Sequence, residues 1–394
     1  MILTKRRNFL KAFGSSLLGL GLFKDAKASP LEMSHLQAPA SPPKIKKYNS
    51  LGKTGLKVSD ISCGAISLFE PNVLRYAYEC GVNYFDTAET YLRMKGESYV
   101  GQALKEIRDK LVITTKHGYN FNQKIERASI FKRVEASLKR LETDYIDIAM
   151  VHSLDDTSSL QNDELQAAYA QLKKEGKIRF TGFSTHNAKL TLKQALDSDF
   201  AQVVLFIYNH MEGKEIEPLI KKLHQKGIGT VAMKIFAGGM QGNLKSMVNQ
   251  NVSYPQAAIR WVLSNPDIDC CIPTLSSYSH VEEYLAVSGQ TLDRASLDML
   301  ARYRQQADHL YCRVSCKACL SSCPNHVAIN DVLRYAMYFE SYGMEKEAVF
   351  YYSELEEAKR PLSCASCAGY CERACPYGLK VREKLINSHE ILSV

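Results

Sequence analysis

A chain of 394 residues that is 45% hydrophobic and 23% charged describes a globular protein with room for one large domain and a smaller one. Its net charge of +8 is spread in short clusters, without the basic stripe and interleaved aromatics of a nucleic-acid surface, so no nucleic-acid partner is expected. The N-terminus supplies part of that charge. In "TKRRNFLKAFGSSLLGLGLF", residues 4–23, Arg6 and Arg7 precede an apolar run interrupted by Gly14, Ser15, Ser16, Gly19 and Gly21. Ala26-Lys27-Ala28 follows as a small-x-small cleavage site. This is the pattern of a twin-arginine export signal over residues 1–28, and the run is shorter than the roughly 20 apolar residues of a membrane span. The expectation is a periplasmic protein, folded before the twin-arginine machinery carries it out. Residues 29–45, rich in Pro, Ala and Ser, read as a linker.

After Lys44 short apolar runs alternate with longer amphipathic stretches. The predicted strands are "ISCGAISL", "VNYFD", "LVITTK", "YIDIAMVH", "RFTGFS", "QVVLFIYN", "GTVAMK" and "DCCIPTL". Between them lie helical patterns such as "ERASIFKRVEASLKRLE" and "DELQAAYAQLKKEGK", the latter stopping at Gly176. Eight nearly continuous apolar strands alternating with helices imply a parallel sheet buried on both faces, and eight units close a (β/α)8 TIM barrel over residues 46–305. A doubly wound open sheet is the competitor, but "CGAISLFEP" after the first strand lacks its glycine-rich phosphate turn.

Chemistry in such barrels sits at the C-terminal ends of the strands. Here "FDTAETY", "TTKHG" and "MVHS" bring Asp86, Tyr91, Lys116 and His152 to one rim. These groups suit proton transfer to a carbonyl oxygen. Lys116 is expected to stabilise the Tyr91 phenolate and lower its pKa, Asp86 to hold the lysine, and neutral His152 to donate a hydrogen bond to the same oxygen. Each residue alone has an ordinary structural explanation; four compatible groups at successive strand ends carry more weight.

These segments, with "LGKTGLKVSDISCG", "GKIRFTGFSTHN" and "VAMKIFAGG", resemble the aldo-keto reductase family in order and spacing over about residues 46–290. The resemblance implies a (β/α)8 barrel, nicotinamide-linked carbonyl chemistry, and a catalytic tetrad of Asp86, Lys116, His152 and the proton donor Tyr91. It also implies cofactor contacts from Ser184, Thr185, Tyr208, Lys234, Ser276 and Ser277. Two departures bear on the cofactor. Leu205 stands where the family commonly has a glutamine for the carboxamide. Thr274 and His280 stand near the lysine and arginine commonly offered to a 2′-phosphate, which argues against NADPH and leaves a weak NAD(H) site.

Eight of the 12 cysteines lie near the C-terminus. Cys312, Cys316, Cys319 and Cys323 form C-x3-C-x2-C-x3-C-P, and Cys364, Cys367, Cys371 and Cys375 form C-x2-C-x3-C-x3-C-P. Such dense quartets followed by proline fit iron–sulfur clusters better than the alternatives, zinc and disulfides. "INDVLRYAMYFESYGMEKEAVFYYSELEEAKR" between them reads as two helices broken at Gly343, with its aromatic residues as packing. The segment 308–394 resembles a small α-helical ferredoxin-like domain. That resemblance implies two [4Fe-4S] clusters, with Cys323 and Cys375 exchanged between them. The remaining Cys63, Cys80, Cys270 and Cys271 read as small buried hydrophobes. The combined expectation is an exported iron–sulfur oxidoreductase of aldo-keto reductase type, acting on a small carbonyl or alcohol and exchanging electrons with a redox partner protein. The alternative is an electron-transfer or partner-binding protein whose barrel is a scaffold.

Overall fold

A computed structural model describes residues 42–393 apart from 68–69, 120–124, 156–158 and 239–251. The expected export signal and most of the linker lie outside the described residues. A hairpin comes first, β1 (Tyr48–Ser50) with β2 (Lys57–Ser59). Eight strand–helix units follow. The strands are β3 (Cys63–Gly64), β4 (Tyr84–Asp86), β5 (Val112–His117), β6 (Ile146–Val151), β7 (Ile178–Thr185), β8 (Val203–Ile207), β9 (Gly229–Met233) and β10 (Cys270–Cys271). Each expected strand is present. The helices that follow them are α1 (Pro71–Glu79), α2 (Gly96–Leu104), α3 (Arg127–Leu141), α4 (Asp163–Lys174), α5 (Ala188–Leu196), α6 (Glu217–Lys226), α7 (Tyr254–Leu263) and α8 (Tyr278–Leu285). The strands pair in parallel in chain order, and bridges Ile61–Cys271 and Gly64–Thr274 join the two edges, so the sheet closes into the (β/α)8 barrel.

Period-two alternation sorts the strand residues into two cores. Tyr84, Val112, Ile148, Met150, Val203 and Leu205 point inward, together with Leu51, Leu56 and Val58 of the hairpin segment. Phe85, Ile113, Val151, Phe183, Val204 and Phe206 point outward against the helices. The hairpin is tied to the barrel through Asp269, whose carboxylate accepts from the amides of Gly52 and Thr230, each at 3.0 Å.

Beyond the barrel run α9 (Arg294–Ala307), α10 (Ile329–Ser341), α11 (Glu345–Ser353), α12 (Tyr370–Arg373) and α13 (Val381–Leu392). The break between α10 and α11 falls at Gly343, in the left-handed region at φ +65°. One continuous apolar core joins α7 and α9 to α10, α11 and α13, and the barrel and the cysteine-bearing segment share one compact unit. Among the described residues no helix is long and apolar enough to cross a membrane.

Gly182 of β7 permits a close strand approach, since a Cβ there would lie 2.0 Å from the Val203 carbonyl oxygen. Gly182→Ala is expected to lower stability by about 3 kcal/mol in urea unfolding, because backbone cannot yield as a side chain can. Gly176→Ala, in open space at φ +73°, is expected to cost about 1 kcal/mol.

Candidate active site

Adjacent strands place Asp86 level with Thr114 and Lys116 level with Met150, so carboxylate and ammonium meet at one rim of the barrel interior. Lys116 Nζ donates to Asp86 Oδ1 at 2.6 Å, to the Thr87 carbonyl at 2.7 Å and to the Tyr91 hydroxyl at 3.4 Å. Tyr91 begins a tight turn in which Leu92, Arg93 and Met94 adopt φ of +52°, +52° and +69°. Three successive left-handed non-glycine residues cost roughly 1–2 kcal/mol each, so the surroundings hold Tyr91 against a local preference. His152 follows β6 and meets the Tyr91 ring edge-on, with ring centroids 5.7 Å apart.

Burial governs the titrations here. It pulls Lys116 down and Asp86 up, and each is the other's chief counterweight. His152 is held neutral, its pKa pushed down to about 3 by burial and then by Lys116 and Arg334. The expectation for Tyr91 is corrected: its pKa lies well above 10, raised by burial and then by Asp86. The ammonium of Lys116 is engaged by Asp86 and the Thr87 carbonyl, leaving too little at 3.4 Å to offset desolvation. Tyr91 is therefore a protonated O–H donor across the working pH range.

A cavity of about 360 Å³ stands over this cluster, within the ordinary size range of ligand pockets. Of the six expected cofactor residues, Ser184 and Lys234 line it. Ser184 Oγ accepts from the Ser153 amide at 2.9 Å, which leaves its hydroxyl hydrogen to donate. Ser184 can therefore donate to the carboxamide of a nicotinamide, the role that the resemblance implies for it. Asp86 Oδ2 is buried without a hydrogen-bond partner. Leu205 also lines the cavity, without a group to hydrogen-bond the carboxamide.

The other four do not line the cavity. Thr185 and Tyr208 have the outward parity of their strands. Thr185 bonds Asp155 at 3.1 Å, and Tyr208 donates to Glu217 at 2.9 Å while its ring packs against Trp261. Ser276 pairs with His280 Nδ1 at 3.0 Å, and Ser277 caps α8 by accepting from the His280 amide. Thr274 does line the cavity, but it carries no charge. Burial lowers the pKa of His280, which stacks on Tyr284. No cation for a 2′-phosphate stands at either position.

The outer wall of the cavity comes from the C-terminal helices. Arg334, Tyr335, Tyr338 and Tyr342 of α10 and the segment just beyond it line the cavity, with Tyr351 of α11. The expected role of the tyrosines was packing. Tyr338 Oη accepts from Lys234 Nζ at 2.8 Å, which joins α10 to the loop after β9. The signal was present in the sequence as Arg and Tyr at 334, 335, 338 and 342, one face of a helix carrying polar tips.

None of the eight C-terminal cysteines is paired in a disulfide. Cys312 has Cys319, Cys316 and Cys375 as its electrostatic neighbours, while Cys364 has Cys371, Cys323 and Cys367. Burial and these neighbours raise both thiols. Among the described residues no three Cys, His, Asp or Glu side chains are grouped to hold a single metal ion. Cys63, Cys80, Cys270 and Cys271 are fully buried, as expected of small hydrophobes.

A model of the aldo/keto reductase family matches residues 69–246. The chain is 30% identical over 242 residues to methylglyoxal reductase YeaE of Escherichia coli (strain K12), covering 59% of this chain and 83% of that protein. It is 28% identical over 278 residues to L-galactose dehydrogenase of Arabidopsis thaliana, covering 61% and 87%. With the uncharacterized oxidoreductase YqkF of Bacillus subtilis (strain 168) the identity is 32% over 207 residues, and the match spans 49% of this chain and 66% of that protein. Similar solved structures include aldo-keto reductase AKR11C1 from Bacillus halodurans in its holo form, with 26% identity, 65% and 95% coverage and a TM-score of 0.55. An aldo/keto reductase from Klebsiella pneumoniae in complex with NADP and acetate gives 27% identity, 65% and 95% coverage and a TM-score of 0.54.

The neutral state of His152 predicts an acid response. Its folded pKa, about 3, lies below the unfolded value, so its contribution to stability is present above about pH 6.5 and is lost as pH falls toward 3. Between about pH 6 and about pH 4, the slope of unfolding free energy against pH should be smaller in His152→Asn than in the wild type by nearly one proton, about 1.4 kcal/mol per pH unit. Urea titrations across that range measure it.

Proposed function

The chain is an oxidoreductase of the aldo/keto reductase family, and on that premise we propose that it interconverts a carbonyl and an alcohol with Tyr91 as proton donor and acceptor, exchanging electrons with a redox partner protein through two [4Fe-4S] clusters. One observation carries the chemical part: Lys116 Nζ ties Asp86, the Thr87 carbonyl and the Tyr91 hydroxyl together at the rim of a cavity. A scaffold has no physical need to bury such a pair. The names of the relatives, a methylglyoxal reductase and an L-galactose dehydrogenase, cover both directions of this exchange.

In the reductive direction neutral His152 and the Tyr91 O–H orient the carbonyl oxygen. As negative charge develops there, Tyr91 releases its proton to it, and Lys116 Nζ, 3.4 Å away, is the cation beside the phenolate left behind. A nicotinamide, when bound, supplies the hydride. Ser184 would hold its carboxamide, whereas a 2′-phosphate would find no cation at Thr274 or His280. That balance supports NADH over NADPH.

Two sets of thiols would hold the clusters: Cys312, Cys316 and Cys319 with Cys375, and Cys364, Cys367 and Cys371 with Cys323. The dense spacing of each quartet and the proline after its last cysteine support clusters over zinc and disulfides. Clusters, when bound, pass single electrons. Export through the twin-arginine machinery to the periplasm rests on the residues around Arg6 and Arg7, and it suits a protein that must acquire clusters before it leaves the cytoplasm.

Full-length Tyr91→Phe, purified anaerobically and assayed with small aldehydes, is expected to lose about 10²–10⁴-fold in kcat with its fold intact. Retention of wild-type turnover would remove Tyr91 from the mechanism. Iron and acid-labile sulfide should each approach about eight per chain in the wild type, and Cys375→Ala or Cys323→Ala should each reduce both by about half. Stoichiometric zinc without sulfide would overturn the cluster reading.

A further inference from the structure

The cavity holds more positive charge than the chemistry at Tyr91 uses. Its only carboxylate among the described lining residues is Asp86, which is committed to Lys116 at 2.6 Å. Two further cations line the cavity. Lys234 reaches it from the loop after β9, donates to the Tyr338 hydroxyl at 2.8 Å, and has no carboxylate within ion-pair distance among the described residues. Arg334 reaches it from α10. One guanidinium nitrogen bonds Asp331 at 2.7 Å, another meets His186 Nδ1 at 3.2 Å, and Nε is buried without a partner. Asp331 is half-exposed and lies outside the cavity wall, so it compensates Arg334 from the solvent side.

The neighbours respond to this charge. The phenol of Tyr338 is fully buried, which alone would raise its pKa, yet Lys234 and Arg334 bring it below the ordinary value. His186 is held neutral by burial and by the same two cations. Lys234 is half-buried with no counter-charge among the described residues, and Arg334 keeps a buried, unpartnered Nε beside its pairing with Asp331. A ligand carboxylate satisfies both: it matches the planar fork of an arginine and pairs with the point charge of a lysine.

We propose that the substrate of this site bears a carboxylate as well as the reacting carbonyl or alcohol, and that Lys234 of the barrel and Arg334 of the C-terminal domain receive it. The proposal rests on reading the cavity as the carbonyl site. It makes the C-terminal domain a determinant of substrate specificity.

Isothermal titration of the full-length protein with benzoate and with benzamide separates charge from shape. Benzoate is expected to bind at least about tenfold more tightly than benzamide. The preference should shrink to about threefold or less in Lys234→Gln and in Arg334→Gln, and Arg334→Lys should restore much of it. If Arg334→Gln fails to fold, Lys234→Gln, in the barrel loop, keeps the comparison. A second readout is spectroscopic: bound benzoate should raise the pH at which tyrosinate absorbance appears, and Tyr338→Phe should abolish that displacement. Equal binding of the two probes overturns the proposal. So does a Lys234→Gln variant that weakens NADH binding and leaves benzoate binding intact, because the cations would then serve the dinucleotide's diphosphate. A benzoate preference alongside unaltered turnover in Tyr91→Phe would sink the catalytic reading alone.

Discussion

Two opposite charges 2.6 Å apart with almost no access to water organise this molecule. A buried ion pair adds little net stability over an apolar pair, but removing one partner costs about 3–5 kcal/mol. Lys116 and Asp86 are therefore locked to each other, and through them the ends of β4 and β5. The next turn is held to the same place, since the Glu89 amide donates to the Lys116 carbonyl at 3.1 Å. Tyr91 depends on that framework, because three residues in the left-handed region follow it and cannot hold such a turn unaided. The pair makes better sense as a device for placing a phenol than as a source of stability.

The second constraint is that one apolar core runs from the outside of the barrel into the C-terminal helices. Tyr303 of α9 donates to the Ala237 carbonyl at 2.8 Å, and Ser315, beside Cys316, donates to buried Glu212 of the barrel at 2.7 Å. The cysteine-bearing segment is thus built into the wall of the reaction chamber. A group held by the thiols and a ligand in the cavity would contact the same small set of helices, which gives the two halves a physical connection that their sequences, taken separately, lacked.

Much of this was legible from residue order. The eight strands, the helix stop at Gly176, the break at Gly343 and the meeting of Asp86, Tyr91, Lys116 and His152 follow from periodicity and from the geometry of strand ends. Thr185 and Tyr208 were legible in a different way. Counting by twos from inward Leu205 turns Tyr208 outward, and counting from Ser184 does the same to Thr185, so local parity overrides an expectation drawn from resemblance. The Tyr91 pKa was not legible. It depends on how much water reaches the phenol and on where the charge of Lys116 is spent, and both are properties of the packed interior. The polar face of Arg334 and Tyr338 was legible, but where it docks was not: its contact with Lys234 spans 104 residues, and nothing local encodes so long a closure.

That long closure imposes an order on the making of the chain. The barrel strands emerge first from the ribosome, and α10 follows only after β10, α8 and α9 have been made. Until then the barrel lacks the wall that α10 supplies, and Lys234 lacks its Tyr338 partner. Once α10 docks, Tyr338 takes the lysine and the chamber has its outer wall. The cavity over Tyr91 is therefore complete only once the C-terminal helices have been made and docked.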